Sequence, residues 1–214
     1  MDRHSSKFMK IFLTSIADRV LEKLLPSITE NPSGMKVAFI PTAGDLYSDK
    51  LWQERDRDKL KELGFQVEDV DLKVTQHQEL KDALSKVDII FVAGGNTLYL
   101  LEKSQQSGFL DITKDLIHSG TIYIGSSAGS LLAGPNIEID KIYDDGEFGK
   151  ELASYEGLGL VDFIVLPHAN REEYRPYIDK IKAEYGQKYS FVELADNQAL
   201  VAIDGKKELV EIVK

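Results

Sequence analysis

Short, continuous apolar runs alternate with amphipathic stretches along most of this chain, and that alternation constrains the fold more than any other feature. "FMKIFLT", "KVAFIPT", "VDIIFVAGG" and "TIYIG" are rich in β-branched and aromatic residues. Between them lie "SIADRVLEKLLPSI", "SDKLWQERDRDKLKELG", "HQELKDALSK", "NTLYLLEKSQQSG" and "LDITKDLIHSG", whose apolar residues recur at helical spacing. Strands that are apolar throughout must be covered on both faces. The pattern therefore predicts a mostly parallel sheet with helices on both sides. Pro26 is expected to help end the first helix, Ser48 to cap the second and Gly64 to stop it.

"FQVEDVDL" alternates as a half-exposed strand does. After Gly134 the pattern weakens, and residues 135–159 read as a loop-rich excursion. "LVDFIVLPH" and "NREEYRPYIDKIKAEYG" restore a strand and a helix. The end, "SFVELADNQALVAIDGKKELVEIV", carries a D-G turn between apolar runs, which predicts a hairpin. No repeat or linker divides the chain. One domain over residues 1–214 is expected, with residues 1–8 as a flexible tail.

Composition narrows the function. The net charge is -10 and no cluster of Lys and Arg stands out, which argues against a nucleic-acid surface. The absence of cysteine excludes disulfides, thiolate zinc sites and a cysteine nucleophile. No HExxH or paired-histidine spacing suggests a metal. No apolar run reaches membrane-spanning length, and the short run near the start leads into an amphipathic helix rather than a cleavage site. A cytoplasmic protein is expected, without nucleic-acid or membrane partners.

The stretch "TIYIGSSAGSLLAG" concentrates the chemistry. Gly125-Ser126-Ser127-Ala128-Gly129 fits G-x-S-x-G between a strand and a helix. Such a corner lifts the serine out of the sheet and points free helix N–H groups at whatever binds there. Small neighbours allow the strained backbone and leave room for a substrate. A tight turn with serine as N-cap is the plainer alternative.

A second glycine corner, Gly94-Gly95-Asn96, follows the strand "VDIIFVA". In open parallel sheets ligands bind at that edge, and turn N–H groups there can hold an oxyanion. His168 follows another strand, where a general base could reach Ser127. The other histidines lie in the tail (His4), at a polar helix start (His77) and on a helix (His118). An acidic residue should orient the base. Asp196 lies between the runs of the terminal hairpin, and Asp140, Asp144 and Asp145 lie in the loop after the serine. Position alone does not choose among them.

Together "AGGNTLYLL", "YIGSSAGSLLAGP", "LPHANRE" and "ELADNQAL" resemble the peptidase E family of serine peptidases, also called S51, from about "KVAFIPTAG" onward. The resemblance implies a flavodoxin-like doubly wound fold related to class I glutamine amidotransferases. It implies Ser127 as nucleophile, His168 as base and Asp196 as the third member, where the family often has Glu. Gly95 and Ala128 would supply the oxyanion N–H groups. Asp140 is the nearest counterpart of a further supporting aspartate, and Arg171 of an arginine that holds an acidic substrate side chain. Ala93 replaces the first of three glycines common in the family, and the segment after His168 is shorter than in aspartyl dipeptidase.

The expected activity is that of a serine exopeptidase or dipeptidase on small peptides, as a monomer or homodimer and without metal or cofactor. An esterase or other small amide hydrolase on the same site is the first alternative, and a non-catalytic flavodoxin-like binding module the second.

Overall fold

The computed structural model describes residues 8–75, 77–143 and 148–213. The chain runs β1 (Lys10–Thr14), α1 (Ala17–Ile28), β2 (Lys36–Ile40), a 3-10 turn (Thr42–Gly44), α2 (Leu51–Glu62), β3 (Gln66–Asp69), α3 (His77–Leu84) and β4 (Ile89–Val92). It continues through α4 (Thr97–Ser107), α5 (Phe109–His118), β5 (Ile122–Ser126), α6 (Ala128–Leu132), a second 3-10 turn (Glu138–Ile142) and β6 (Ile164–Leu166). It closes with α7 (Arg175–Tyr185), β7 (Phe191–Glu193), β8 (Gln198–Ile203) and β9 (Lys206–Glu211).

Seven strands form one sheet in the order β3-β2-β4-β5-β1-β8-β9. The first five are mutually parallel, and β8 and β9 run antiparallel. The order β3-β2-β4-β5 reproduces the flavodoxin-like 2-1-3-4, with the N-terminal strand β1 in the fifth place. The expected mostly parallel, doubly wound sheet is therefore the fold of this chain.

Alternate strand residues feed two separate cores. Ile11, Leu13, Ile90 and Val92 pack with α3 to α6 on one face, while Phe12, Phe39, Phe91 and Ile124 pack with α1 and α2 on the other. This two-sided burial is why the strands read as continuous apolar runs. Phe39 and Phe91 stack with ring centroids 5.0 Å apart beneath α1 and α2.

Pro26 falls in the last turn of α1, which ends at Ile28, the last residue of the stretch expected to be helical. In the last turn proline costs only one ladder bond, and the apolar face from Ala17 to Ile28 is buried. Local expectations are revised in three other places, at Ser48, in the strand before His168 and at the terminal hairpin. Ser48 does not cap α2; Asp49 Oδ1 accepts the Leu51 N–H at 2.9 Å instead. The strand in "LVDFIVLPH" shrinks to β6, which leaves the main sheet and pairs in parallel with β7. The D-G hairpin is β8–β9, turning at Asp204-Gly205. Asp196 lies before it, on the segment joining the small sheet to the large one. Of the expected tail, residues 1–7 lie outside the described residues. No helix among the described residues is long and apolar enough to cross a membrane.

Candidate active site

Ser127 stands alone between the end of β5 and the start of α6, with φ 49° and ψ −105°. A non-glycine residue in this region is strained and persists only when its surroundings over-determine it. They do here. The Ser127 N–H donates to the Thr14 carbonyl at 3.0 Å, and its own carbonyl accepts from Ser130 and Leu131 N–H at 2.8 and 3.1 Å. The Ser130 hydroxyl ties the corner down again, bridging the carbonyls of Thr14 and Gly125 at 2.8 Å each and accepting the Thr14 N–H at 2.9 Å. A Cβ on Gly129 would run into the Val92 carbonyl, and one on Gly125 would press to 2.6 Å from the Gly129 backbone. The two glycines of the motif thus let the helix start close against β4 and β5.

The corner points the Ser127 hydroxyl at His168. Oγ lies 3.0 Å from Nε2, and His168 Nδ1 lies 2.8 Å from Asp196 Oδ1. His168 itself has φ 61°. Its N–H is held at 2.8 Å by the hydroxyl of Ser15, which also donates to Asp196 Oδ1 at 3.3 Å. Ser15 follows β1 at the same sheet edge. Sequence reasoning missed it, although "LTS" at a strand end was a visible signal. Asp196 receives two further contacts on Oδ2, from Arg171 Nε at 2.7 Å and from Arg19 Nη1 at 3.5 Å. Asn170 Oδ1 accepts its N–H at 2.8 Å.

The electrostatics follow from these contacts. Burial pushes the His168 imidazole below its ordinary value; the hydrogen bond to Asp196 opposes this, and the Arg171 and Arg19 charges add to the lowering. An imidazole so placed is neutral at neutral pH and able to accept a proton. Burial alone would raise the Asp196 carboxyl, but hydrogen bonds from His168 and Arg171 outweigh it and hold it below the ordinary carboxylate range.

The second glycine corner faces the same serine. Gly94 lies against Ser127, with the position of an added Cβ 3.2 Å from the serine's own. Its carbonyl accepts from Gln53 Nε2 at 2.8 Å and from Trp52 Nε1 at 3.1 Å, both on α2. Gln53 is buried and also donates to the Pro41 carbonyl at 2.9 Å. In a trans peptide the N–H points opposite to the preceding carbonyl. Two donors that hold the Gly94 carbonyl toward α2 therefore turn the Gly95 N–H away from it. Gly95 has φ 149°, and a Cβ there would overlap the Ala43 carbonyl, so only glycine fits. Neither the Gly95 nor the Ala128 N–H has a protein acceptor among the described residues. Sequence reasoning found the glycines but not Trp52 and Gln53.

Ser127 and His168 sit between two cavities. The first, of about 480 Å³, has walls that include Leu98, Leu131, Tyr143, Phe148 and Tyr174, with buried Asp140 also on its lining. The second, of about 410 Å³, is lined by Trp52, Arg19, Arg55, Asp56 and Arg171. Of the sequence-predicted residues, Ser127, His168, Asp196, Gly95 and Ala128 come together at one sheet edge. Asp140 is buried on the lining of the first cavity, and Arg171 pairs with Asp196 and lines the second cavity. Asp144 and Asp145 lie outside the described residues. No group of three or more acidic or histidine side chains among the described residues could hold a metal.

Several known proteins resemble this chain in sequence and fold. An uncharacterized peptidase of Listeria monocytogenes serovar 1/2a is 33% identical over 201 residues, covering 94% of this chain and 97% of that protein. Peptidase E of Salmonella arizonae is 33% identical over 152 residues, 69% of this chain and 62% of that one. The crystal structure of a candidate peptidase E protein from Listeria monocytogenes EGD-e superposes with a TM-score of 0.89 at 30% identity, over 96% of this chain and all of that one. A peptidase from an acI-B1 actinobacterium shares the fold at 17% identity, with a TM-score of 0.70 over 97% of this chain and 90% of that one. The sequence profile of Peptidase family S51 matches residues 11–210, so nearly the whole chain, strained serine corner included, belongs to peptidase family S51.

Proposed function

We propose that this peptidase is a serine exopeptidase of short peptides. The observation that carries the reading is the unbroken hydrogen-bonded line from Ser127 Oγ through the His168 ring to Asp196, starting at a strained corner. His168 Nε2 takes the Ser127 proton as Oγ attacks the scissile carbonyl, and Asp196 stabilises the imidazolium that forms. The Gly95 and Ala128 N–H groups receive the oxyanion. His168 then returns the proton to the leaving amine. Water, activated by the same imidazole, releases the acyl group from Ser127.

The two cavities suit small substrates better than a long groove would. The first takes the acyl residue, whose free α-ammonium finds Asp140. No Lys or Arg among the described residues lines this cavity, and its aliphatic and aromatic walls favour an uncharged side chain. Asp-X dipeptides, for which Arg171 was the expected partner, are the informative comparison.

The test is covalent. A fluorophosphonate probe should label Ser127, located by mass spectrometry of the modified peptide, and Ser127→Ala should abolish both the label and hydrolysis. Labelling of Ser126, or no labelling of folded protein, would reject the nucleophile. Equal cleavage of free and N-acetylated dipeptides would reject the exopeptidase reading and leave the serine mechanism standing.

A further inference from the structure

A dipeptide at neutral pH is a zwitterion, with an ammonium at the acyl end and a carboxylate on the leaving residue. The two cavities beside Ser127 differ in charge in the same sense. Asp140 is the acid on the first, while the second carries three arginines from three separate segments: Arg19 from α1, Arg55 from α2 and Arg171 from the segment after β6.

Two of these cations are already engaged. Arg171 spends its Nε on Asp196 at 2.7 Å, and Arg19 reaches the same carboxylate only at 3.5 Å. Arg55 is exposed and has no hydrogen bond or ion pair among the described residues. Two acids share the wall. Asp56 is buried, and its Oδ1 is occupied by the Asp18 N–H at 2.8 Å; its carboxyl is pushed up to about 7, chiefly by burial, so part of its charge is absent at neutral pH. Asp18 lies in the first turn of α1.

We propose that the second cavity is the leaving-group site, and that Arg55, with Arg19, binds the free α-carboxylate of the residue after the scissile bond. This rests on the exopeptidase reading and deepens it. The site selects dipeptides, because a third residue would replace the carboxylate by a neutral amide and continue into the wall formed by α1 and α2. A guanidinium binds a carboxylate through two parallel hydrogen bonds between opposite charges, a pairing that a neutral amide with one carbonyl oxygen cannot match.

The experiment compares leucyl-leucine, leucyl-leucinamide and leucyl-leucyl-leucine with the full-length protein. The free dipeptide should exceed the amide in kcat/KM by about tenfold, equivalent to about 1.4 kcal/mol, and chiefly through KM. Arg55→Ala should bring that ratio toward one, Arg55→Glu should invert it, and Arg55→Lys should restore part of it. A ratio near one in the wild-type protein, with hydrolysis abolished by Ser127→Ala, overturns the carboxylate site alone. So does a wild-type preference that survives Arg55→Glu combined with Arg19→Ala. Hydrolysis of none of the three and of none of their aspartyl-leucine counterparts, or hydrolysis that persists in Ser127→Ala, overturns the exopeptidase reading and this inference with it. Circular dichroism of each variant separates loss of recognition from loss of fold.

Discussion

Polar side chains outside the Ser127–His168–Asp196 line do much of the positioning at this site. Gln53 and Trp52 make no hydrogen bond to Ser127, His168 or Asp196; both hold the Gly94 carbonyl, and through peptide planarity that carbonyl sets the direction of the Gly95 N–H. Replacing Gln53 by Met keeps its length and removes one of the two donors. The Gly94–Gly95 peptide is then free to tilt, and an oxyanion donor acts only when aimed at the developing charge. Gln53→Met should therefore lower kcat on the order of tenfold with KM little changed, and Trp52→Phe should act in the same direction. Steady-state kinetics beside urea unfolding is the check. Loss of stability with unchanged kcat would make Gln53 a strut for the Pro41 and Gly94 carbonyls and nothing more.

At the level of elements, α1, α2 and β5 meet at Asp56. Its Oδ1 caps the start of α1 through the Asp18 N–H, and its carboxyl also contacts Ser126, the residue before Ser127. Ser126 in turn accepts the Ala17 N–H at 3.3 Å. One side chain on α2 thus closes the N-terminus of α1 against the end of β5. Burial raises this carboxyl from 3.8 to about 7. Between those values the folded protein keeps the proton and the unfolded chain gives it up. Asp56 therefore contributes a loss of stability that grows as pH rises from about 4 to about 7 and then levels off. Asparagine mimics the protonated acid and can keep both contacts. Asp56→Asn should be more stable than wild type at pH 8, and the difference should shrink toward pH 5. Thermal unfolding at the two pH values measures it, and a difference independent of pH would refute the assignment.

Across the whole molecule, the C-terminal strands are unequal. β8 lies against the interior strand β1 and buries Ala199, Leu200, Val201 and Ala202, whereas β9 is largely exposed at the sheet edge. The segment after β9 still matters locally, because Asn197 grips Ile212 in both directions, next to Asp196. A chain ending at residue 205 should fold with weakened activity, as the Asp196 turn loosens. A chain ending at residue 197 should not fold, because β1 loses its partner on that side. Circular dichroism and fluorophosphonate labelling of the two truncations would show this. A folded, fully active shorter form would mean that β8 is dispensable.

The parallel, two-sided sheet, the strained corner at Ser127 and the glycine corner at Gly95 are legible in the amino-acid sequence. Each is written in local physics: a strand buried on both faces must be apolar at every residue, and a left-handed or crowded backbone must be glycine or closely held. His168 was legible for a similar reason, as the one histidine placed directly after an apolar strand. The family resemblance pointed to Asp196, but spacing could not separate it from Asp140, and the hairpin that was to carry it begins only two residues later. Which acid meets His168 depends on β6 and β7 leaving the main sheet as a pair of their own, a choice made by pairing between segments far apart in the chain. The same holds for Ser15, Gln53, Asp56 and Arg19, which reach the site from the opposite end of the sequence. Periodicity and backbone conformation are properties of neighbours along the chain. Partners more than a hundred residues apart, as Ser15 is from His168 and Asp196, are set only when β1 takes its place between β5 and β8.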